Sequence, residues 1–397
     1  MLYLYVIFSL SLLVLLVLGV AEQRRHDANL DRIPVRVLVN GIRGKSSITR
    51  LIAGALRGGR LRVIAKTTGS AARFIHTDAS EEPVHRKFGI ANIAEQIGIV
   101  RRAVAEHPDA LVIECMAVKP PLQETYQDKL IRSTIGVLSN VREDHLAEMG
   151  PTLDDVARSL SRTMPRGGIC VTAERDRRTV LQQEAGRRDC RLLVADAGEV
   201  SEEEMAGFRH FAFPENVAIA LTVAAQVGVS RRDALHGMYT MQLDPGVLTV
   251  EKYDVRGATL RFANIFAAND PRSTVMNFHQ LLDHGHIGPP ILTLINCRPD
   301  RIERNAQMAE IVPELGTSRL FLIGHPTRSA RAALPAGWNG ELVDLGGPHR
   351  EPEQIWSQIC SRIDSDASVV AIGNIHGQGE RLLAHLLTAA APAGAAR

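Results

Sequence analysis

The sequence predicts an α/β protein with an N-terminal transmembrane helix, a central domain on a mostly parallel sheet of P-loop type, and a smaller C-terminal α/β domain. Three observations carry that prediction. Met1 to Val20 holds no charged residue and is rich in Leu, Val, Ile and Phe. Apolar strand-like runs then alternate with helical patterns in two successive stretches, the rhythm of βαβ units. At the first strand-to-helix junction stands Asn40-Gly41-Ile42-Arg43-Gly44-Lys45-Ser46-Ser47, a glycine-rich turn that ends in Gly-Lys-Ser.

The opening run is about the length that crosses a bilayer as a helix. A cleaved signal peptide would carry a basic segment before its apolar run, and no Lys or Arg precedes residue 24. A buried core helix is rarely apolar on every face. Residues 1–21 are therefore expected to anchor the chain in the inner (cytoplasmic) membrane as a single span, with 22–33 as a linker. Arg24, Arg25 and Arg32 follow the span, so the positive-inside rule puts the catalytic body in the cytoplasm.

Composition narrows the classes further. At 397 residues the chain can bury the cores of two or three domains. Its 46 Lys+Arg against 44 Asp+Glu leave no basic field for nucleic acid, and aromatics for base stacking are scarce, so a nucleic-acid partner is excluded. Cys115, Cys170, Cys190, Cys297 and Cys360 are widely spaced and odd in number. They suggest neither a disulfide framework nor a zinc site and fit a reducing cytosol.

In chain order the first alternation gives strands over Val35–Val39, Leu61–Ala65, Ala110–Glu114, Thr134–Asn140, Ile169–Thr172 and Leu192–Asp196, with helices from Ser46, near Ile90–His107 and from Leu153. Two helices, Pro214–Val227 and Arg231–Met241, close a domain over 34–244, and Asp244-Pro245-Gly246 reads as the boundary turn. The second alternation, 245–388, has strands over Thr249–Tyr253, Thr259–Phe266, Ile291–Asn296, Leu320–Ile323 and Val369–Ile372, and helices near Ser273–His284, Arg301–Leu315 and Pro352–Ile363. The Ala/Pro/Gly-rich end, 389–397, is expected to be a flexible tail.

Ligands of parallel sheets collect at the carboxyl ends of the strands, and the chemistry-bearing residues fall there. In the Asn40–Ser47 turn, glycines admit backbone N–H groups to phosphate oxygens, Lys45 adds a point charge, the helix start adds its dipole, and Ser46 can place a hydroxyl on Mg²⁺. An eight-residue phosphate loop would need glycine at Val39, so this one is shorter. Glu114 ends an apolar strand, where a carboxylate must meet a polar cleft, a cation or solvent. Asn140-Val141-Arg142-Glu143-Asp144-His145 crowds an amide, carboxylates and an imidazole into one turn. It suits metal or phosphate, and a hydrogen-bonded structural histidine competes with that reading of His145. Lys66-Thr67-Thr68-Gly69-Ser70 could contact nucleotide or glutamate, Arg298-Pro299-Asp300-Arg301 could clamp a phosphate or carboxylate, and Arg73 and Arg86 could read carboxylates. Loops that only cap their helices explain these clusters about as well.

Taken together, Gly-x-x-Gly-Lys-Ser-Ser after the first strand, a strand-ending Glu114, and Asn140-x-x-x-Asp144-His145-x-x-x-x-Gly150-x-Thr152-x-x-x-Val156-Ala157 resemble the Mur ligase and folylpolyglutamate synthase superfamily of ATP-dependent amide ligases. Pro214-Glu215-Asn216 is similar to that superfamily's helix with an asparagine against the adenine. The uncharged N-terminus, Lys66-Thr67-Thr68-Gly69, Asn92-Ile93-Ala94-Glu95-Gln96 and Gly373-Asn374-Ile375-His376-Gly377 make nearly the whole chain resemble the poly-γ-glutamate synthase ligase subunits of the CapB/PgsB type.

The resemblance implies a reaction. ATP phosphorylates a chain-end carboxylate of poly-γ-glutamate to an acyl phosphate, which the amine of an incoming glutamate attacks. By the same resemblance Lys45 neutralises the β/γ-phosphates and Ser46 and Glu114 hold Mg²⁺. His145 holds a second Mg²⁺ if two ions are used, and Asn216, Asp270 and Arg298 join Asn40 to Ser47 in binding ATP. The implied partners are glutamate and its polymer, a small polytopic membrane subunit, an accessory surface subunit, and further copies of the chain in a homo-oligomer. Competing readings are a related ligase with another acceptor, or a non-catalytic nucleotide-binding scaffold at the membrane. Three positions depart from the superfamily pattern. Leu160 stands where relatives carry a lysine, Val247 follows Pro245-Gly246 in place of an arginine, and the acidic position near Asn269-Asp270-Pro271 is not matched cleanly, which leaves Asp270 as the C-terminal candidate.

Overall fold

A computed structural model describes residues 2–68, 72–84, 92–208, 212–241, 248–266, 268, 270–283 and 285–389. The chain divides into two compact units, Met1–Leu243 and Asp244–Arg397. The expected boundary turn at Asp244-Pro245-Gly246 and the departure at Val247 lie outside the described residues, as do Gly69, Ser70, Arg86, His284 and the tail from 390.

Helix α1 spans Leu2–Asp31. From Tyr3 its apolar part is long and apolar enough to cross a bilayer, with mean hydropathy 2.7, and it is exposed all round. The linker expected over 22–33 is instead a continuation of this helix to Asp31. His26, Leu30 and Ile33 are the reason. His26 and Leu30, four apart, lie on one helical stripe, Ile33 follows just past the helix end, all three are buried, and a ring nitrogen of His26, Nε2, hydrogen-bonds the Leu130 carbonyl at 2.8 Å.

The first unit carries an eight-stranded sheet of β1 (Val35–Asn40), β2 (Val63–Lys66), β3 (Arg73–Ile75), β4 (Glu81–Pro83), β5 (Ala110–Glu114), β6 (Ile135–Leu138), β7 (Ile169–Thr172) and β8 (Arg191–Val194). Its order is β4-β3-β2-β5-β1-β6-β7-β8, and only β3 runs against the others. Central β1 lies between β5 and β6, which explains its unbroken apolar run: Val37, Leu38 and Val39 are covered on both faces. Helix α2 (Lys45–Gly58) packs on one side, with Ile48, Leu51, Ile52, Ala55 and Leu56 in the core. On the other side α3 (Glu95–Val104) shares a cluster with Leu30, Leu38, Ile64, Leu111 and Tyr126. The first unit also contains α4 (Pro120–Thr125), continued by a wider turn to Ile131, then α5 (Leu146–Met149) and α6 (Leu153–Leu160).

The second unit has a six-stranded sheet of β9 (Thr249–Val255), β10 (Ala258–Asn264), β11 (Ile291–Cys297), β12 (Thr317–Gly324), β13 (Glu341–Asp344) and β14 (Ala367–Gly373), ordered β13-β12-β11-β14-β10-β9. Only β9 is antiparallel. Both sheets thus present strand carboxyl ends on one edge. In the first unit that edge gathers the turn after β1, Lys66 to Thr68, Glu114 and the turn after β6.

Candidate active site

The turn after β1 is shaped by two glycines. Gly41 has φ 127° and a Cβ there would stand 2.0 Å from Ser139 Oγ, while Gly44 has φ 78° and directly precedes α2. A side chain on Gly44 would meet Asn216 Nδ2 at 3.4 Å, so the helix Pro214–Gln226 brings Asn216 against the loop. Arg43 is strapped to the neighbouring turn: its N–H donates to Asn140 Oδ1 (3.0 Å), and its carbonyl accepts from Asn140 Nδ2 (3.1 Å) and Ser139 Oγ (2.8 Å). The Lys45 ammonium folds back onto the carbonyls of Gly41 (2.9 Å) and Ile42 (3.3 Å). An anionic oxygen is a stronger partner for it than either carbonyl.

Asn40 is the member of the loop whose side chain turns away. It is buried, and its Nδ2 donates to Gln123 Oε1 (2.9 Å) and Thr163 Oγ1 (3.1 Å), so the side chain is committed beneath the loop and not to a nucleotide. Gln123 in turn donates to the Val118 carbonyl (2.6 Å) and Ser159 Oγ (3.1 Å). A single glutamine of α4 thereby ties the end of β1 to the loop after β5 and to α6. Nothing local in the sequence marks it.

Glu114 is 3 % exposed at the end of β5. Both of its hydrogen bonds from described residues fall on Oε2: Ser46 Oγ donates at 2.8 Å and the Thr68 N–H at 2.7 Å. Its carbonyl accepts from the Tyr126 hydroxyl at 3.1 Å, and burial holds that hydroxyl's pKa well above the usual phenol range. Burial likewise pushes the adjacent Cys115 thiol up to about 12, so it stays protonated at neutral pH. The pair fits a hard cation. An octahedral Mg²⁺ with bonds of about 2.1 Å sets neighbouring oxygens about 3 Å apart, close to the Ser46–Glu114 separation of 2.8 Å. Ser47 follows on the first turn of α2, half-buried.

The turn after β6 is held from behind by Glu174, a buried carboxylate that accepts from the Val141 N–H (2.8 Å) and Arg142 Nη1 (3.0 Å). Its tip is open. Asp144 pairs with Arg43 at 3.5 Å, and the His145 side chain is 48 % exposed, 3.8 Å from Asp144 and 3.9 Å from Glu148. Among the described residues no group of three His, Cys, Asp or Glu side chains gathers to hold a metal. Leu160 cannot contribute, being fully buried with Val156, Ala157 and Met164. Lys66, expected to face a ligand, is fully buried with Nζ on Glu95 at 2.8 Å, and Arg73 sits on β3 with its N–H on Thr67 Oγ1.

In the second unit Asp270 caps the helix Pro271–Asp283 by accepting from the Ser273 N–H at 2.9 Å. Arg298 is gripped by Asp300 (2.8 and 2.7 Å) and donates to Asn374 Oδ1 at 3.1 Å, which joins the loops after β11 and β14. Both side chains expected to reach ATP are thus engaged within their own unit.

Comparison with known proteins bears on the whole chain. Residues 250–389 match the family model of the poly-gamma-glutamate synthase CapB C-terminal domain. Over 386 residues the chain is 36 % identical to the capsule biosynthesis protein CapB of Bacillus anthracis, covering 95 % of this chain and 82 % of that protein. It is also 36 % identical to the PGA synthase CapB of Bacillus subtilis (strain 168), covering 93 % and 94 %. Among solved structures, a bifunctional folylpolyglutamate synthase/dihydrofolate synthase of Yersinia pestis complexed with AMPPNP and Mn ion superimposes with TM-score 0.64 at 14 % identity, over 92 % of this chain and 93 % of that one. At that identity the likeness shows a shared fold.

Proposed function

Because this chain belongs to the CapB family of poly-γ-glutamate synthases, we propose that it is an ATP-dependent amide ligase that lengthens poly-γ-glutamate by one glutamate per cycle. The observation that carries the reading is the Ser46–Glu114–Thr68 cluster at the mouth of the Gly41–Lys45 loop. Lys45, released from its two carbonyls, neutralises the β/γ-phosphates, and the first N–H groups of α2 receive phosphate oxygens. Asn216 lies against Gly44, where it can border the nucleotide.

The γ-phosphoryl group passes to a chain-end carboxylate, giving acyl phosphate and ADP. The amine of the incoming glutamate then forms the amide bond as phosphate leaves and the amine sheds its proton. Ser46 and Glu114 would hold Mg²⁺, which supplies charge stabilisation to the phosphate oxygens. His145, at the open tip, is placed to meet the acceptor carboxylate directly or through a second ion. Manganese and an ATP analogue in the Yersinia pestis relative support the nucleotide and a divalent metal. The family implies a polytopic membrane subunit, a surface subunit and self-association as partners, and Arg24 and Arg25 after the apolar helix support a cytoplasmic body.

The test is ATP turnover by the full chain in membranes or detergent. Turnover is expected to require glutamate, and Lys45→Ala is expected to abolish polymer while the protein stays folded and membrane-bound. Turnover that ignores glutamate would overturn the ligase reading, and nucleotide binding without turnover would leave a scaffold as the better account.

A further inference from the structure

Two stretches that the phosphate chemistry does not use meet inside the first unit. Lys66, the last residue of β2, is fully buried, and its ammonium lies 2.8 Å from Glu95 Oε1 in the first turn of α3. Gln96 Nε2 donates to the same oxygen at 3.2 Å and to Met116 Sδ at 3.0 Å. Met116 follows Glu114 by two residues, and Lys66 stands opposite Ile113 in the β2–β5 register. The pair therefore ties the ends of β2 and β5 together through α3.

Stability does not account for such a pair. Replacing a buried ion pair by apolar residues of similar volume is often neutral or stabilising, because desolvation consumes most of the attraction. The chain just beyond the pair is closely held. The Thr67 N–H is taken by the Arg73 carbonyl at 3.0 Å, its hydroxyl by the Arg73 N–H at 3.2 Å, and the Thr68 N–H is thereby aimed at Glu114 Oε2 at 2.7 Å.

We propose that Lys66 and Glu95 are positioning residues that set Glu114 as a metal ligand by fixing the Lys66–Thr68 turn whose N–H pins one carboxylate oxygen. This rests on the metal role assigned to Ser46 and Glu114 above. Groups that orient metal ligands are worth about 10- to 100-fold in metal affinity.

The experiment measures Mn²⁺ binding to the full chain in detergent by electron paramagnetic resonance, with a non-hydrolysable ATP analogue present, for Lys66→Met, Glu95→Gln and the double variant. Each single change is expected to weaken Mn²⁺ binding about tenfold and to leave metal-free binding of the analogue unchanged. The double variant should be no weaker than the worse single one, because the two act as one unit. Folded Glu95→Gln with wild-type Mn²⁺ affinity, or effects that simply add, would overturn the proposal. Should Glu95→Gln fail to fold, Glu95→Asp keeps the charge on a shorter arm and is expected to weaken Mn²⁺ binding by up to about tenfold; wild-type affinity there would count equally against it. Glu114→Gln separates the two layers. If it binds Mn²⁺ normally, the metal site itself is wrong; if it does not while Glu95→Gln does, only the positioning role falls.

Discussion

At Glu114 a carboxylate 3 % exposed receives two hydrogen bonds on one oxygen, whereas at His145 an imidazole 48 % exposed stands 3.8 and 3.9 Å from its nearest carboxylates. The first is organised by partners within the protein; the second has none within hydrogen-bond distance of its ring among the described residues. A buried carboxylate is costly unless its partners are fixed in advance, and here they come from two other strand ends, after β1 and after β2. The imidazole escapes that cost by staying near water, and it gives up geometric definition in exchange. Under the proposed function, a fixed end suits the constant phosphate ligand and an open tip suits an acceptor that lengthens with each cycle.

Breaking the organised end should give the largest effect. Glu114→Gln keeps the volume but removes the charge, and polymer formation is expected to fall about 10³-fold, roughly 4 kcal/mol, as for loss of a preorganised charge-stabilising group. Measured kcat would carry the loss, with thermal unfolding little changed. A fall below tenfold would mean that the carboxylate only caps its neighbours.

Next comes the loop that leads to Ser46, the partner of that carboxylate. Gly41→Ala adds a methyl 2.0 Å from Ser139 Oγ at φ 127°, a conformation costing about 1–3 kcal/mol for other residues. Its unfolding midpoint should drop, and its KM for ATP should rise because the carbonyls that hold Lys45 move. An unchanged KM would show that the loop does not shape the nucleotide site.

His145→Ala sharpens the comparison from the other side. Its loss should be smaller, about thirtyfold or roughly 2 kcal/mol, and it should appear with the acceptor while ATP binding and unfolding are untouched. Equal losses in ATP binding would place the imidazole at the nucleotide. His236, exposed on the helix Arg231–Tyr239, is the matched control and should show no effect.

Much of the organised end was legible because its residues close strands. Continuous apolar runs at Val37–Val39 and Ala110–Ile113 announce strands covered on both faces, and a polar residue that ends such a run stands out. The hairpin β3–β4 was not legible, since Arg73-Phe74-Ile75 and Glu81-Glu82-Pro83 are three residues each, charged and proline-bearing. Continuation of α1 left a trace in the four-residue spacing of His26 and Leu30, which the surrounding polar residues mask. Gln123 and the Lys66–Glu95 pair left none, because partners 83 and 29 residues away have no local period. Asn40 misled for the same reason: its place in the loop is local, but the direction of its side chain is decided by Gln123.

The smallest expected effect lies under the organised end and asks how dry it is. Burial raises the Cys115 thiol from 9.0 to about 12, so between those values the unfolded chain loses a proton that the folded chain keeps. The sign follows. The folded-state pKa is raised, so the thiol's contribution to stability is whole below pH 9 and drains away as pH climbs toward 12. From pH 8 to pH 10 the drain amounts to about 1.4 kcal/mol, one pKa unit's worth. Cys115→Ala removes it, so its unfolding free energy, read from denaturant midpoints, should fall less than the wild type's over that interval by about the same amount. Parallel curves would mean that the thiol ionises in the folded protein, that water reaches the floor beneath Glu114, and that the two ends of the crevice differ less in burial than in their partners.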